Sequence, residues 1–497
     1  MLEHVIVIDV VGLELGHLQS GLVPNIANLA DQGESFRMEP VFPAVTCPVQ
    51  ASILSGQYPN QHGIVANGLY DRTKYTTTFW EQEDALVEAD RVWDRTKKLM
   101  HERRTQQEEG PGKKKSQSRP VTFPEIGSFP SSISTSSSSP SYPSFSDSST
   151  VRTAVLFWQN TMYAKSDIIV TPRPLHMEDG MIMWCYSKPV GLYDNELTKN
   201  FGEFNLGSYW GPFASVKSSE WITKATNYVL EEKRPNFLFT YIPHVDYSAQ
   251  RHGKNSNQVK EDLKKADDLV GSIIEKSSDI EIRETTQFII LSEYGFNDVT
   301  SAVPLNLELR RAGLLRTRNI QGKEYIDYEH SDAFAMVDHQ IAHIYVKDEL
   351  IDKVKRLLAD IDGVHKVCSG QEKKMLKVDH ERSGELIAIS DRDQWFSYGW
   401  WYNSDEAPTF TRKVDIHRKP GYDPVELFLD QKTKSISLDT NLIKSSHGRP
   451  VNPETEEGYS VYISNLKVGN IQKKSESASE TAVPCVDIGK YLINLIS

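Results

Sequence analysis

Apolar positions along the chain fall into two rhythms. Compact runs rich in β-branched and aromatic residues occur at Val5–Ile8, Thr153–Trp158, Phe237–Ile242 and Phe288–Leu291. Runs of this kind predict strands buried on both faces, as in a mostly parallel sheet. The other rhythm is helical. Pro24–Ala30 begins on proline and is closed by Gly33, which fits helix start and stop rules. Between Ser218 and Lys233, the residues Trp221, Ala225, Tyr228 and Val229 recur at helical spacing. Leu263, Ala266, Leu269, Val270, Ile273 and Ile274 mark the buried side of a helix over 257–276. A further amphipathic helix is predicted over 349–361. Strands alternating with helices predict an α/β fold with helices on both faces of the sheet.

Three of the strand runs lead into carboxylates: Asp9 after the first, Asp246 after the third, Glu293 after the fourth. In open α/β sheets the ligand site lies beyond the carboxyl ends of the strands. Three acids brought to that edge from distant parts of the chain predict a cation site. The competing reading is that each acid serves only as a turn or N-cap residue.

Composition narrows the classes. At 497 residues the chain is either two domains or one large α/β domain with insertions. A net charge of -12 argues against a binder of nucleic-acid duplexes through a basic surface. No apolar run reaches the length of a membrane span, and Met1-Leu2-Glu3-His4 leads into the first strand without a signal-peptide pattern. The four cysteines, Cys47, Cys185, Cys368 and Cys485, form no CxxC pair, so neither a disulfide framework nor a zinc finger is indicated. A cytoplasmic protein is the expectation. Residues 99–119 are rich in Lys, Arg, Glu and Gln, and serine takes 12 of the 20 positions in 131–150. Such a segment lacks the apolar residues to offset ordering entropy, so 99–150 is expected to be a disordered insertion. It would interrupt one catalytic domain made of 1–98 and 151–497. The aromatic-rich parts of 160–215 and 390–425 are candidates for a cap.

The most informative stretch runs from Thr46 to Ile64. Locally, Thr46-Cys47-Pro48 before an apolar helical run reads as a helix N-cap with proline in the first turn. The functional reading is a hydroxyl nucleophile at a helix N-terminus, where free N–H groups and the helix dipole would hold a phosphoryl oxygen. Asp9, the Thr46-x-Pro stretch with Ser55-Gly56, and His62-Gly63-Ile64-x-x-Asn67-x-x-Tyr70-Asp71 together resemble the nucleotide pyrophosphatase/phosphodiesterase branch of the alkaline phosphatase superfamily. That resemblance implies an alkaline-phosphatase-like fold with Thr46 as nucleophile and Asn67 as a hydrogen-bond donor to the phosphoryl group. It also implies Asp9, Asp246, Glu293 and the His447 of Ser446-His447-Gly448 as ligands of one or two divalent cations, zinc or magnesium/manganese. Sulfatases, which share the superfamily, place Arg four residues after the nucleophile, where this chain has Gln50.

Two positions depart from the family pattern. Gln250 stands where Asp-x-x-x-His is usual, and Glu293-Tyr294 where Asp-His is usual. Glutamate keeps the charge and suits hard cations, whereas tyrosine is a poor ligand unless ionised. The adjacent Asp338 and His339 are candidates to replace the missing ligands, unless they form a capped turn with a satisfied histidine.

The resulting expectation is a metal-dependent hydrolase of phosphodiester or pyrophosphate bonds in a small phosphorylated substrate. It would act through a phospho-threonine intermediate, with the backbone N–H after Thr46 as a second oxyanion donor. Two alternatives stay open: a catalytically degenerate member that binds a phosphorylated ligand, and a phosphotransferase or mutase using the same nucleophile. Substrate identity and oligomeric state are not readable from the sequence.

Overall fold

The three carboxylate-tipped runs form three adjacent strands. His4–Val10 lies between Phe237–Ile242 and Thr286–Leu291 and is parallel to both. All residues of the two flanking strands are buried. Fully burying an aliphatic or aromatic side chain is worth about 1.5–3 kcal/mol, so this unit alone commits the chain strongly to the arrangement. The full sheet has nine strands, in the order Ala482–Pro484, Glu34–Glu39, Ser460–Ser464, Thr286–Leu291, His4–Val10, Phe237–Ile242, Thr153–Leu156, Ile168–Pro172, Cys185–Lys188. The strands from Thr286–Leu291 to Ile168–Pro172 run parallel. Ser460–Ser464 and Cys185–Lys188 are antiparallel to their neighbours. The computed structural model describes residues 2–98, 151–177, 180–455, 457–467 and 482–495. The insertion expected over 99–150 lies outside the described residues.

Helices flank the sheet in two groups. Pro24–Gln32, Val216–Lys233 and Asn257–Asp279 pack together, and Thr46–Ser55 packs on the closing helix Cys485–Asn494. Both groups bury their apolar residues in the same core as the strands. The Thr46 helix approaches the closing helix very closely. A Cβ on Gly489 would lie 2.7 Å from Gly56 Cα, and Gly56 itself ends the Thr46 helix at φ +66. Glycine at both places lets the helix carrying Thr46 sit down on its neighbour.

A second core is built on an antiparallel sheet ordered Ala333–Asp338, Ile341–Val346, Leu386–Ser390, Val364–Cys368. The helices Leu305–Arg311 and Ile351–Ala359 contribute to it. Ala66 and Tyr70, on either side of Asn67, pack into this core as well. The loop carrying Asn67 is therefore pinned where the two cores meet. Of the stretches expected as candidate caps, Ile168–Pro172 and Cys185–Lys188 are the last two strands at one side of the main sheet, and Gln394–Phe396 pairs with Ser301–Val303. Among the described residues no helix is long and apolar enough to cross a membrane.

Candidate active site

Strand register explains how the acids meet. Asp9 is level with Tyr241 on one side and Leu291 on the other. Glu293 therefore lies two residues past its register partner. Asp246 lies past Tyr241, in the first turn of the helix His244–His252 rather than in a loop. Thr46 arrives from the other direction as the first residue of Thr46–Ser55, with Val45 in the capping position and no side-chain cap bond. The N-cap reading is thus corrected. The hydroxyl turns away from its own helix because a carboxylate competes for it: Thr46 Oγ1 donates to Glu293 Oε2 at 2.8 Å, and Tyr294 Oη lies 3.3 Å away.

Around this contact, Asp9 and Asp246 are each bonded through one carboxylate oxygen only. Gln50 Nε2 donates to Asp9 Oδ2 at 3.1 Å and to Glu293 Oε1 at 2.7 Å. Gln250 Nε2 donates to Asp246 Oδ2 at 2.5 Å. His447 Nδ1 donates to the Ala44 carbonyl at 2.9 Å, which fixes the tautomer and leaves a lone pair on Nε2. The remaining atoms Asp9 Oδ1, Asp246 Oδ1 and His447 Nε2 are buried without a partner. Buried polar atoms are normally paired, so three such acceptors at one sheet edge need an explanation.

Electrostatics point the same way. Burial, and then the facing Glu293, hold the Asp9 carboxyl well above its ordinary range. Burial pushes Glu293 up to about 7 and Asp338 up to about 7. Burial and then Glu293 push Asp246 up to about 8. No Lys or Arg is among the groups acting on these four. Clustered acids without a buried base require protons or a cation. The residues present therefore fit a bound cation: one side with Asp9, Glu293 and Thr46, the other with Asp246 and His447. No trio drawn from Asp9, Asp246, Glu293, Asp338, His339 and His447 brings its ligand atoms within 4.8 Å of one another. Among the described residues that closeness occurs at the surface trio Asp327, Glu329 and His330, where Arg318 already pairs with both acids.

Asp338 and His339, expected as candidate replacement ligands, have protein partners here. Both oxygens of Asp338 accept from Asn67, Oδ2 from the backbone N–H at 2.8 Å and Oδ1 from Nδ2 at 3.1 Å. Asn67 Oδ1 in turn accepts the Cys47 N–H at 2.9 Å. The Cys47 N–H, expected as an oxyanion donor, is thus engaged. Asn67 Nδ2 keeps one hydrogen for a ligand. His339 is held at φ +60, where a non-glycine residue is strained. It belongs to a stack of rings, Tyr294 on His447 (3.4 Å between centroids, 7° apart), His447 on His339 (3.7 Å) and His339 on Tyr422 (3.8 Å). Burial holds His339 well below the usual imidazole range and His447 down to about 3, so both rings are neutral. Tyr294 acts in this stack as a flat partner for His447. Asp338→Ala is expected to lower kcat about 100-fold with a smaller change in KM, because it frees the Asn67 amide to rotate. Steady-state kinetics on the variant check this.

Three residues here were not singled out by the sequence reading: Gln50 as a bridge between Asp9 and Glu293, Gln159, whose N–H holds Gln50 Oε1 at 2.7 Å, and Tyr422, whose hydroxyl holds Gln250 Oε1 at 3.1 Å. Gln50 carried a usable signal, since a residue four positions after Thr46 shares its helix face. The contacts of Gln159 and Tyr422 are long-range and carried none.

A mostly parallel sheet with flanking helices is also the fold of solved structures that match this chain over nearly its whole length. The structure of phosphonoacetate hydrolase from Sinorhizobium meliloti 1021 with phosphonoacetate matches with a TM-score of 0.56 and 14% identity, covering 99% of this chain and 96% of that one. Inactive murine ectonucleotide pyrophosphatase/phosphodiesterase 5 with AMP matches with a TM-score of 0.56 and 14% identity, covering 99% and 95%. The model of the type I phosphodiesterase / nucleotide pyrophosphatase family matches residues 5–423, and the chain belongs to that family. An uncharacterized pyrophosphatase/phosphodiesterase of Schizosaccharomyces pombe is 38% identical over 68 residues, covering 14% of each chain. Ectonucleotide pyrophosphatase/phosphodiesterase family member 1 of Rattus norvegicus is 23% identical over 282 residues, covering 56% of this chain. The chain spans only 14% and 22% of the length of these two relatives.

Proposed function

We propose that the chain hydrolyses phosphodiester or pyrophosphate bonds of a small phosphorylated substrate, with Thr46 as nucleophile. The observation that carries this reading is the buried 2.8 Å hydrogen bond from the Thr46 hydroxyl to Glu293. In-line attack by Thr46 Oγ1 forms the bond to phosphorus as the leaving oxygen departs, and Glu293 Oε2 holds the hydroxyl proton. The second ester group stays on the phosphorus of the threonine adduct; a water then forms its bond to phosphorus as the Thr46 Oγ1–P bond breaks, and Thr46 regains a proton. Asn67, fixed by Asp338, presents one amide hydrogen to a phosphoryl oxygen. Asp9, Glu293 and Thr46 on one side, and Asp246 and His447 on the other, would hold the divalent cations, zinc or magnesium/manganese. When bound, these supply Lewis-acid polarisation and charge neutralisation. Family membership supports metal dependence, and the phosphonoacetate and AMP bound by the two structural neighbours support a small phosphorylated substrate. Four free, buried cysteines support a cytoplasmic location.

No Lys or Arg is bonded to Thr46 or Asn67 among the described residues. A monoester's extra negative oxygen therefore meets no cationic side chain bonded to either residue. Bis(p-nitrophenyl) phosphate is expected to be turned over with kcat/KM at least about tenfold above p-nitrophenyl phosphate, a difference of about 1.4 kcal/mol. Both activities should disappear on chelation and return with added cation. Turnover that resists exhaustive chelation would contradict the reading.

A further inference from the structure

We propose that Gln50 and Gln250 are positioning residues whose neutral amides hold the outer oxygens of the site's carboxylates, leaving an oxygen-dominated donor set that shifts the usual preference for zinc toward manganese and magnesium. This rests on the reading that cations bind between these acids. The two glutamines do the same thing on the two sides of the site. Gln50 ties Asp9 Oδ2 and Glu293 Oε1, and Gln250 ties Asp246 Oδ2. The opposite oxygens, Asp9 Oδ1 and Asp246 Oδ1, are left bare, and Glu293 Oε2 accepts the nucleophile's hydroxyl.

Neither amide can be turned around at low cost. Gln50 Oε1 accepts a backbone N–H from Gln159, and Gln250 Oε1 accepts the Tyr422 hydroxyl. A flipped Gln50 would set its Nε2 against that N–H and its carbonyl against two carboxylates. A flipped Gln250 would lose its donor to Asp246. Both side chains are almost completely buried, at 0% and 1% exposure, so no water replaces the lost bonds. A lysine in either place would fix the carboxylates equally well but would neutralise them. An amide fixes them and leaves the charge for a cation.

The same geometry decides which cation. Gln250 turns its carbonyl away from Asp246 toward Tyr422, so it adds no ligand atom there. Tyr294 stacks its ring on His447, and its hydroxyl, 3.3 Å from Thr46 Oγ1, adds at most another oxygen where a histidine would add nitrogen. What remains is oxygen from Asp9, Glu293, Thr46 and Asp246, and one nitrogen, His447 Nε2. Oxygen sets suit magnesium and manganese, whereas zinc favours nitrogen and sulfur.

The test is cation binding by the full-length protein. Manganese(II) is titrated by electron paramagnetic resonance, and zinc by competition with a chromophoric chelator. Gln50→Ala and Gln250→Ala are each expected to weaken manganese binding by about 10–100-fold. Gln250→His, which adds a nitrogen ligand, is expected to shift the zinc-to-manganese affinity ratio toward zinc by at least about tenfold. Gln50→Met and Gln250→Met, matched in length, replace the alanine variants if those do not fold. Manganese affinities within about threefold of the parent in folded variants, or a zinc-to-manganese ratio unmoved by Gln250→His, would each overturn the proposal. A chain that shows these binding effects but never labels Thr46 would sink the hydrolase reading and leave this one standing.

Discussion

Thr46→Ala is expected to lower kcat/KM toward bis(p-nitrophenyl) phosphate by at least about 10,000-fold, while Thr46→Ser stays within about 100-fold of the parent. The alanine variant removes the attacking oxygen and nothing else of size. Thr46 sits at a helix start, makes no cap bond and donates its hydroxyl outward to Glu293. Its fold should therefore survive, and a Tm of the cation-free variant within about 3 °C of the parent would verify that the scaffold of the site is intact. Serine keeps the oxygen but loses the methyl that restricts rotation about χ1, so part of the alignment goes. If the alanine variant kept a tenth of the parent activity, the hydroxyl would be a bystander. A metal-bound water would then be the better candidate for the nucleophile, and the Glu293 contact would be structural.

Cation-free protein should lose stability as pH rises from 6.5 to 8.5, by at least about 3 °C in Tm, and added manganese should restore it most at the alkaline end. The sign follows from burial. Asp246, Glu293 and Asp338 titrate near 8, 7 and 7 in the folded chain, against the usual carboxyl range near 4 in the unfolded one. Between those limits the folded state carries more protons, so stability falls with rising pH until the folded values are passed. The buried neutral histidines act in the opposite sense. His62 and His447 are held down to about 3, and His244 and His343 to about 4, so their destabilising protonation in the unfolded state fades as pH rises to about 6.5. By about pH 7.5 that opposing effect is spent, and the raised carboxyls, Glu81 at about 7 among them, set the slope, joined toward pH 8.5 by the buried thiols of Cys47, Cys185 and Cys485, which burial also pushes up. A cation substitutes for the missing protons and so gains most where they are lost. Asp246→Asn should flatten the slope. A Tm that holds steady or rises between pH 6.5 and 8.5 after chelation would mean the acids are neutralised by some other group.

Much of the scaffold was legible because its signals are local. The runs around Ile6, Leu238 and Ile289 are apolar throughout, and only strands covered on both faces use that pattern. The helix at 257–276 was legible from its 3.6-residue stripe and extends three residues further, to Asp279. The acids at the sheet edge followed from strand direction. What was not legible depends on which of several chemically adequate partners a side chain finds. Thr46 could cap its own helix or donate to a distant carboxylate, and only the fold brings Glu293 within reach. Asp338 and His339 read as spare ligands because acid–histidine pairs often are. Nothing local reveals that Asn67, 271 positions away, takes both carboxylate oxygens. Gln250 read as a lost ligand, yet its amide aligns Asp246. Tyr294 read as a poor ligand, and its ring stacks on His447.

The most direct measurement is mass spectrometry of the protein quenched with acid during turnover of a phosphodiester. Peptide mapping should place a phosphoryl adduct on Thr46, present within milliseconds to seconds of mixing and absent from Thr46→Ala. A fully active protein that never carries an adduct at Thr46, or carries it on another residue, would contradict the assignment of Thr46 as nucleophile.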